Sequence, residues 1–69
     1  MKSFKLHTEY ITMTQFLKAN DYISSGGEAK FFLLENKCYI NNELCKERGK
    51  KIFPNYKVKI NDDLYKIEQ

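Results

Sequence analysis

The fold of this chain is decided by residues 24–35, which read SSGGEAKFFLLE. Ser25, followed three residues later by Glu28, fits a capping box, the reciprocal pairing of side chain and backbone that starts many helices. Ala29, Phe32 and Leu33 then recur at i, i+3 and i+4, the spacing of one helical face, so we expect them to point into the core. The stretch therefore predicts a turn followed by an amphipathic helix that begins at Glu28 and runs to the end of the stretch.

A strand and a further helix are predicted on the N-terminal side of this stretch. Residues 6–11 read LHTEYI and are rich in residues that favour β-structure. Thr12 or Thr14 can cap a following helix, because either hydroxyl can accept a hydrogen bond from a free backbone N–H. Apolar residues at approximately helical spacing then predict a short helix over residues 14–21, with Lys18 on or near its exposed side.

A β-hairpin is predicted on the C-terminal side, over residues 38–45. Its centre is Asn41-Asn42, and asparagine tolerates the positive φ that a two-residue type I′ turn needs at both positions. This register places Cys38 opposite Cys45. The pair could form a disulfide across the hairpin or remain as half-buried thiols.

A second hairpin is predicted to end the chain. Residues 57–60 alternate polar and apolar side chains, and residues 61–63 turn the chain into residues 64–67. The predicted order is strand, helix, helix and four short strands. We therefore expect an α+β fold in which a helix pair packs on a small, mostly antiparallel sheet, as a single domain over residues 1–69.

Length and charge bear on the class of function. A chain of 69 residues has room for one core and little interior for an enclosed catalytic pocket. Residues 1–36 contain four basic and four acidic side chains, whereas residues 37–69 contain eight basic and five acidic ones. The net charge of +3 therefore belongs to the second half, and it is densest in residues 46–51, KERGKK.

Four ordered blocks, residues 8–18, 25–30, 40–43 and 48–52, resemble the small stand-alone S4-domain proteins of the bacterial YaaA/YbcJ type. The resemblance implies an S4-like (alpha-L motif) fold whose helix pair and hairpin bind structured RNA of the rRNA or tRNA class, without catalysis. Many relatives in the wider family carry arginines where this chain has Thr12 and Gly26. This difference bears on affinity and on which RNA is recognised.

The residues themselves support the same surface. The turn at Ser25, Gly26 and Gly27 presents unhindered N–H groups at a helix start, where the helix dipole favours a phosphate. Lys30 stands in the first turn, a position that normally favours acidic residues, so its charge can serve a bound anion or pair with a nearby acid. The candidate RNA-binding residues are Lys18, Ser25, Gly26, Gly27, Lys30, Asn41, Arg48, Lys50 and Lys51.

Two classes of function remain open from the sequence. The first is an RNA-binding accessory protein, and the second is a module that docks on an acidic protein in a ribosome- or replication-associated complex. His7, Cys38 and Cys45 match neither a zinc site nor a nucleophilic triad. We therefore expect no enzyme activity and no cofactor. We also expect no membrane contact and no small-molecule substrate, and a monomeric protein in the cytoplasm.

Overall fold

The two helices begin close to the predicted positions. The computed structural model describes all 69 residues, and helix α1 spans Met13–Ala19 with Thr12 as its N-cap. The Thr12 hydroxyl accepts a hydrogen bond from the Gln15 N–H, and the Gln15 side chain accepts one from the Thr12 N–H. A 3-10 turn at Gly26–Glu28 leads into helix α2, Ala29–Glu35. Both helix starts therefore follow from local capping chemistry.

Helix α1 is shorter than predicted. It ends at Ala19, whereas the sequence pattern indicated residue 21. Asp21 takes a φ of 63°, which lies in the left-handed region and cannot continue a right-handed helix. The side chain of Asn20 donates to the Phe16 carbonyl and satisfies one acceptor of the last turn.

The predicted strand over residues 6–11 is wrong in position. The first strand, β1, is Lys2–Lys5, and of the predicted segment only Ile11 lies in a strand, β2, which spans Ile11–Thr12. Between them the chain bends, and the Thr8 hydroxyl donates to the Tyr10 carbonyl at 2.8 Å. This local hydrogen bond competes with strand pairing, which is the usual effect of threonine in a turn.

The remaining strands build one main sheet and one short ribbon. They are β3 Cys38–Ile40, β4 Glu43–Leu44, β5 Lys51–Ile52, β6 Lys57–Ile60 and β7 Asp63–Glu68. The main sheet has the order β1-β7-β6-β3-β4, with β1 parallel to β7 and the other pairs antiparallel. Strands β2 and β5 pair separately, and this pairing was not predicted. The predicted mostly antiparallel α+β architecture is confirmed.

The β3–β4 hairpin has the predicted turn and register. Asn41 and Asn42 take φ values of 51° and 71°, as a type I′ turn requires. The Cys45 N–H donates to the Cys38 carbonyl at 2.7 Å, so the two cysteines lie opposite each other. Both are buried free thiols, and burial raises the pKa of Cys38 to about 11. The structure therefore has two free thiols here and no disulfide between Cys38 and Cys45.

The core lies between the helix pair and the inner face of the sheet. All 15 buried residues are apolar, including Ala29 and Leu33 of α2 as predicted, whereas Phe32 is only partly buried against the core. Phe16 of α1 meets Phe4 and Tyr65 edge-to-face, with ring centroids 5.1 Å apart in each pair. These contacts tie α1 to both β1 and β7. No helix has the length and apolar character that crossing a bilayer requires.

Candidate nucleic-acid interface

The basic loop, residues 45–50 between β4 and β5, is held against the start of α1 through its own backbone. The Met13 N–H donates to the Lys50 carbonyl at 2.9 Å, and the Thr14 N–H donates to the Arg48 carbonyl at 2.9 Å. The Thr14 hydroxyl donates to the same Arg48 oxygen at 2.8 Å. Free N–H groups of a helix start are thus satisfied by the loop. The exposed side chains of Arg48 and Lys50 keep their charge available to solvent.

Thr14 also touches the start of the second helical segment. A Cβ placed on Gly26 would lie 3.7 Å from Cγ2 of Thr14. Lys18 lies one turn beyond Thr14 on the same face of α1. Lys30 lies in the first turn of α2, directly after the 3-10 turn that contains Gly26. The Thr14 junction, defined by Thr14, Gly26 and Arg48, therefore brings together candidates that are far apart in sequence.

Sequence reasoning missed the part that Thr14 plays in this surface. We considered it only as a possible helix cap, a place that Thr12 occupies instead. Its partner Arg48 is 34 residues away, so no local pattern could reveal the contact.

The basic candidates are not neutralised by acidic side chains. The chain has one ion pair, in which Lys2 Nζ lies 3.6 Å from Asp63 Oδ1. The alternative that Lys30 is paired with a nearby acid is therefore not what the structure shows. The basic surface consists of the exposed, unpaired Lys18, Lys30, Arg48, Lys50 and Lys51.

Lys51 is positioned by an aromatic ring. It lies in β5 opposite Thr12, and its Nζ stands 4.8 Å from the centroid of the Tyr10 ring. A cation–π contact of this kind orients an ammonium group without neutralising it. Lys51 thus extends the basic surface past the N-cap of α1, and Tyr10 is a second contributor that sequence reasoning missed.

Lys46 has a structural part in the same loop. Its Nζ donates to the Leu33 carbonyl at 2.8 Å, near the C-terminal end of α2, where a cation is favourable. The loop is therefore fastened to both helices, to α1 by carbonyl groups and to α2 by Lys46.

Asn41 lies at a different part of the surface. Together with Lys50 it lines a concavity of about 280 Å³ between the β3–β4 turn and the basic loop. Its Oδ1 accepts a hydrogen bond from the Lys57 N–H at 2.9 Å, which ties the turn to β6. Only its NH₂ group is left to donate to a ligand.

The predicted phosphate site at the start of α2 already contains an internal anion. Oε2 of Glu28 accepts hydrogen bonds from the N–H and the hydroxyl of both Ser24 and Ser25, at 2.6–3.2 Å. The hydroxyl donors hold the pKa of Glu28 below its usual 4.5 and keep it charged. The N–H and hydroxyl groups of Ser25 therefore already donate to Glu28, and a contact between Ser25 and RNA stays a prediction.

The two glycines that follow remain accessible. The N–H groups of Gly26 and Gly27 have no acceptor within the chain. Neither glycine has a positive φ, and a Cβ on Gly27 would meet nothing within 4 Å. Their small size leaves the backbone open next to Lys30, although Glu28 places a negative charge on the same turn.

Comparison with known proteins agrees with this architecture. The family model described as S4 domain matches residues 4–68. A protein of Bacillus subtilis (strain 168), named probable ribosome maturation protein RlbA, is 48% identical over 48 residues, covering 70% of this chain and 68% of that protein. No solved structure matches the chain significantly. With almost its whole length matched, the chain belongs to the S4 domain family.

Proposed function

We propose that this chain is an RNA-binding accessory protein that acts in ribosome maturation and recognises structured RNA of the rRNA or tRNA class. The observation that carries the proposal is the Thr14 junction, which assembles a basic surface from both helices and the loop while leaving the charges unpaired. Membership of the S4 domain family and the name of the Bacillus relative support it.

The charges suit a folded RNA better than an arbitrary duplex. With a net charge of only +3, the chain lacks the strong positive field that drives indiscriminate binding. Its cations project from both helices, the basic loop and β5, so their spacing can match phosphates only where the RNA brings its backbone into the right shape. In this proposal Lys30 and the N–H groups of Gly26 and Gly27 contact one phosphate. The other contacts come from Lys18, Asn41, Arg48, Lys50 and Lys51.

The proposal is tested by measuring affinity for a folded ribosomal RNA fragment, a transfer RNA and a matched DNA duplex over a salt series. We expect preference for RNA and a negative slope of log affinity against log salt. Lys50→Ala should weaken RNA binding and reduce the slope by about one, because one phosphate contact is lost. Lys59→Ala is the matched control, since Lys59 lies on the outer face of β6, away from the helices.

A gain of charge provides a complementary arm of the same experiment. Gly26→Arg places a cation at the Thr14 junction, where an added Cβ meets only Cγ2 of Thr14, at an ordinary contact distance of 3.7 Å. We expect tighter RNA binding and a steeper salt slope. Equal affinity of the wild type, Lys50→Ala and Gly26→Arg proteins for RNA would contradict the proposed surface.

The same unpaired basic surface supports a second candidate, a module that docks on an acidic protein in a ribosome- or replication-associated complex. Nuclease treatment separates the two, because a partner bridged by RNA is released while a directly bound acidic protein is retained. Under either function we propose a binding protein of the cytoplasm, not an enzyme.

A further inference from the structure

The outer side of α2 carries a groove that the basic surface does not use. The groove has a volume of about 190 Å³ and is lined by Tyr22, Ile23, Glu28, Phe31, Phe32 and Glu35. Tyr22 and Phe32 form part of its floor, with their ring centroids 5.7 Å apart. We refer to these six residues as the α2 groove.

Apolar side chains stand exposed at this groove. Phe31 is 64% exposed and the neighbouring Leu34 is 63% exposed, although the same helix buries Ala29 and Leu33 completely or nearly so. Because Ala29 and Leu33 occupy the core side of the helix, Phe31 lies on the opposite side. Covering Phe31 and Leu34 would remove apolar surface from water and would favour association.

The charge of the α2 groove is negative, opposite to that of the basic surface. Glu28, Phe31 and Glu35 follow at helical spacing and share one side of α2. Neither glutamate takes part in an ion pair. All hydrogen bonds to the Glu28 carboxylate use Oε2, so Oε1 remains free to accept. An aromatic ring flanked by two carboxylate groups that form no ion pair repels phosphate and attracts a cation.

We propose that the α2 groove binds an arginine side chain of a basic partner protein. The guanidinium group stacks on the Phe31 ring and donates to Glu35, and the Glu28 carboxylate adds negative charge at the other end of the groove. Arginine fits better than lysine, because its planar group can stack on a ring and form paired hydrogen bonds at the same time. An apolar residue next to the arginine would cover Leu34. The chain would then hold RNA and a basic protein on different sides.

The test is a titration of the isotope-labelled full chain, followed by amide NMR shifts, with a capped Gly-Leu-Arg-Leu-Gly peptide. A second peptide carries citrulline in place of arginine, which keeps the shape and removes the charge. We expect the arginine peptide to shift the amide signals of the α2 groove. The citrulline peptide should bind about tenfold more weakly or not at all.

Variants of the chain locate the contact. Phe31→Ser and Glu35→Gln should each weaken binding of the arginine peptide severalfold, and neither side chain is part of the core. Leu44→Ser and Glu43→Gln are the matched controls, because they change an exposed apolar residue and an exposed acid outside the groove. Both controls should bind the arginine peptide as the wild type does. RNA affinity should be the same in Phe31→Ser and wild type, so failure of this proposal is distinguishable from failure of the RNA proposal.

Three outcomes would overturn the proposal. One is equal binding of the arginine and citrulline peptides, and another is a set of shifts that maps outside the α2 groove. The third is self-association of the wild type that Phe31→Ser abolishes, since the occupant would then be a second copy of this chain.

Discussion

At the scale of the residue, Glu28 shows how one carboxylate organises a helix start. The hydroxyl and N–H groups of Ser24 and Ser25 all donate to it, which holds its pKa below 4.5. A carboxylate whose pKa is lowered on folding stabilises the fold above its unfolded pKa and loses that contribution as the pH falls through the folded pKa. We expect Glu28→Gln to lower the melting temperature at neutral pH, and the difference from wild type to disappear once the pH is below the folded pKa of Glu28, which itself lies below 4.5.

Thermal unfolding followed by circular dichroism at neutral and acid pH measures this difference. Glu35→Gln is the control, because the Glu35 carboxylate, at the far end of the helix that follows Glu28, accepts no hydrogen bond from the chain. If Glu28→Gln lowers the melting temperature by the same amount at both pH values, the charge of Glu28 does not account for its effect on stability.

At the scale of the element, the β3–β4 hairpin depends on the left-handed backbone of its turn. Asn42 has a φ of 71°, a conformation that costs a β-branched residue about 1–2 kcal/mol. We expect Asn42→Val to lower the free energy of unfolding by about that amount, and Asn42→Gly to leave it unchanged or raise it slightly. Urea unfolding curves measure both effects.

The second hairpin offers a matched control for the turn. Asp62 is also the second turn residue of a hairpin, but its φ is not positive. Asp62→Val should therefore cost less than Asn42→Val. Equal costs at the two positions would mean that side-chain contacts, and not backbone conformation, set the stability of these turns.

At the scale of the whole molecule, Phe16 joins the parts of the core. It is fully buried and packs against Phe4 from β1 and Tyr65 from β7. We expect Phe16→Leu to lower the free energy of unfolding by about 1–2 kcal/mol. If the chain is a single domain, far-ultraviolet circular dichroism and tyrosine fluorescence should report the same urea midpoint in both proteins.

Phe31→Leu serves as the control, because the 64% exposed Phe31 contributes little to the core. Two separate unfolding transitions in wild type or in Phe16→Leu would contradict the prediction of one domain over residues 1–69.

Several local features of the fold could be predicted from the sequence. The helix starts and the asparagine turn depend on hydrogen bonds and φ preferences of residues at most a few positions apart. The cysteine register followed from the turn, because a two-residue turn fixes which residues face each other. The first strand was misplaced because the β-forming character of residues 6–11 does not reveal the Thr8 turn.

The candidate site was predictable in its residue types but not in its assembly. Lys30 and Arg48 were identified from charge and position, whereas Thr14, which links their elements, gave no local signal. The capping box at Ser25 and Glu28 was visible in the sequence. How completely Glu28 would occupy the donors of Ser24 and Ser25 was not, because it depends on side-chain geometry.

The sequence by itself determined the two helices, the β3–β4 hairpin with its register, and the excess of positive charge in the second half of the chain. Only the tertiary structure decided that β1 pairs in parallel with β7 and that the basic loop lies against both helices. Tertiary packing also left α2 with an acidic, apolar groove on its outer side. The reason is physical: short-range hydrogen bonds and backbone preferences are encoded in neighbouring residues. Contacts between distant segments depend instead on how the apolar side chains of the whole chain pack together in one core.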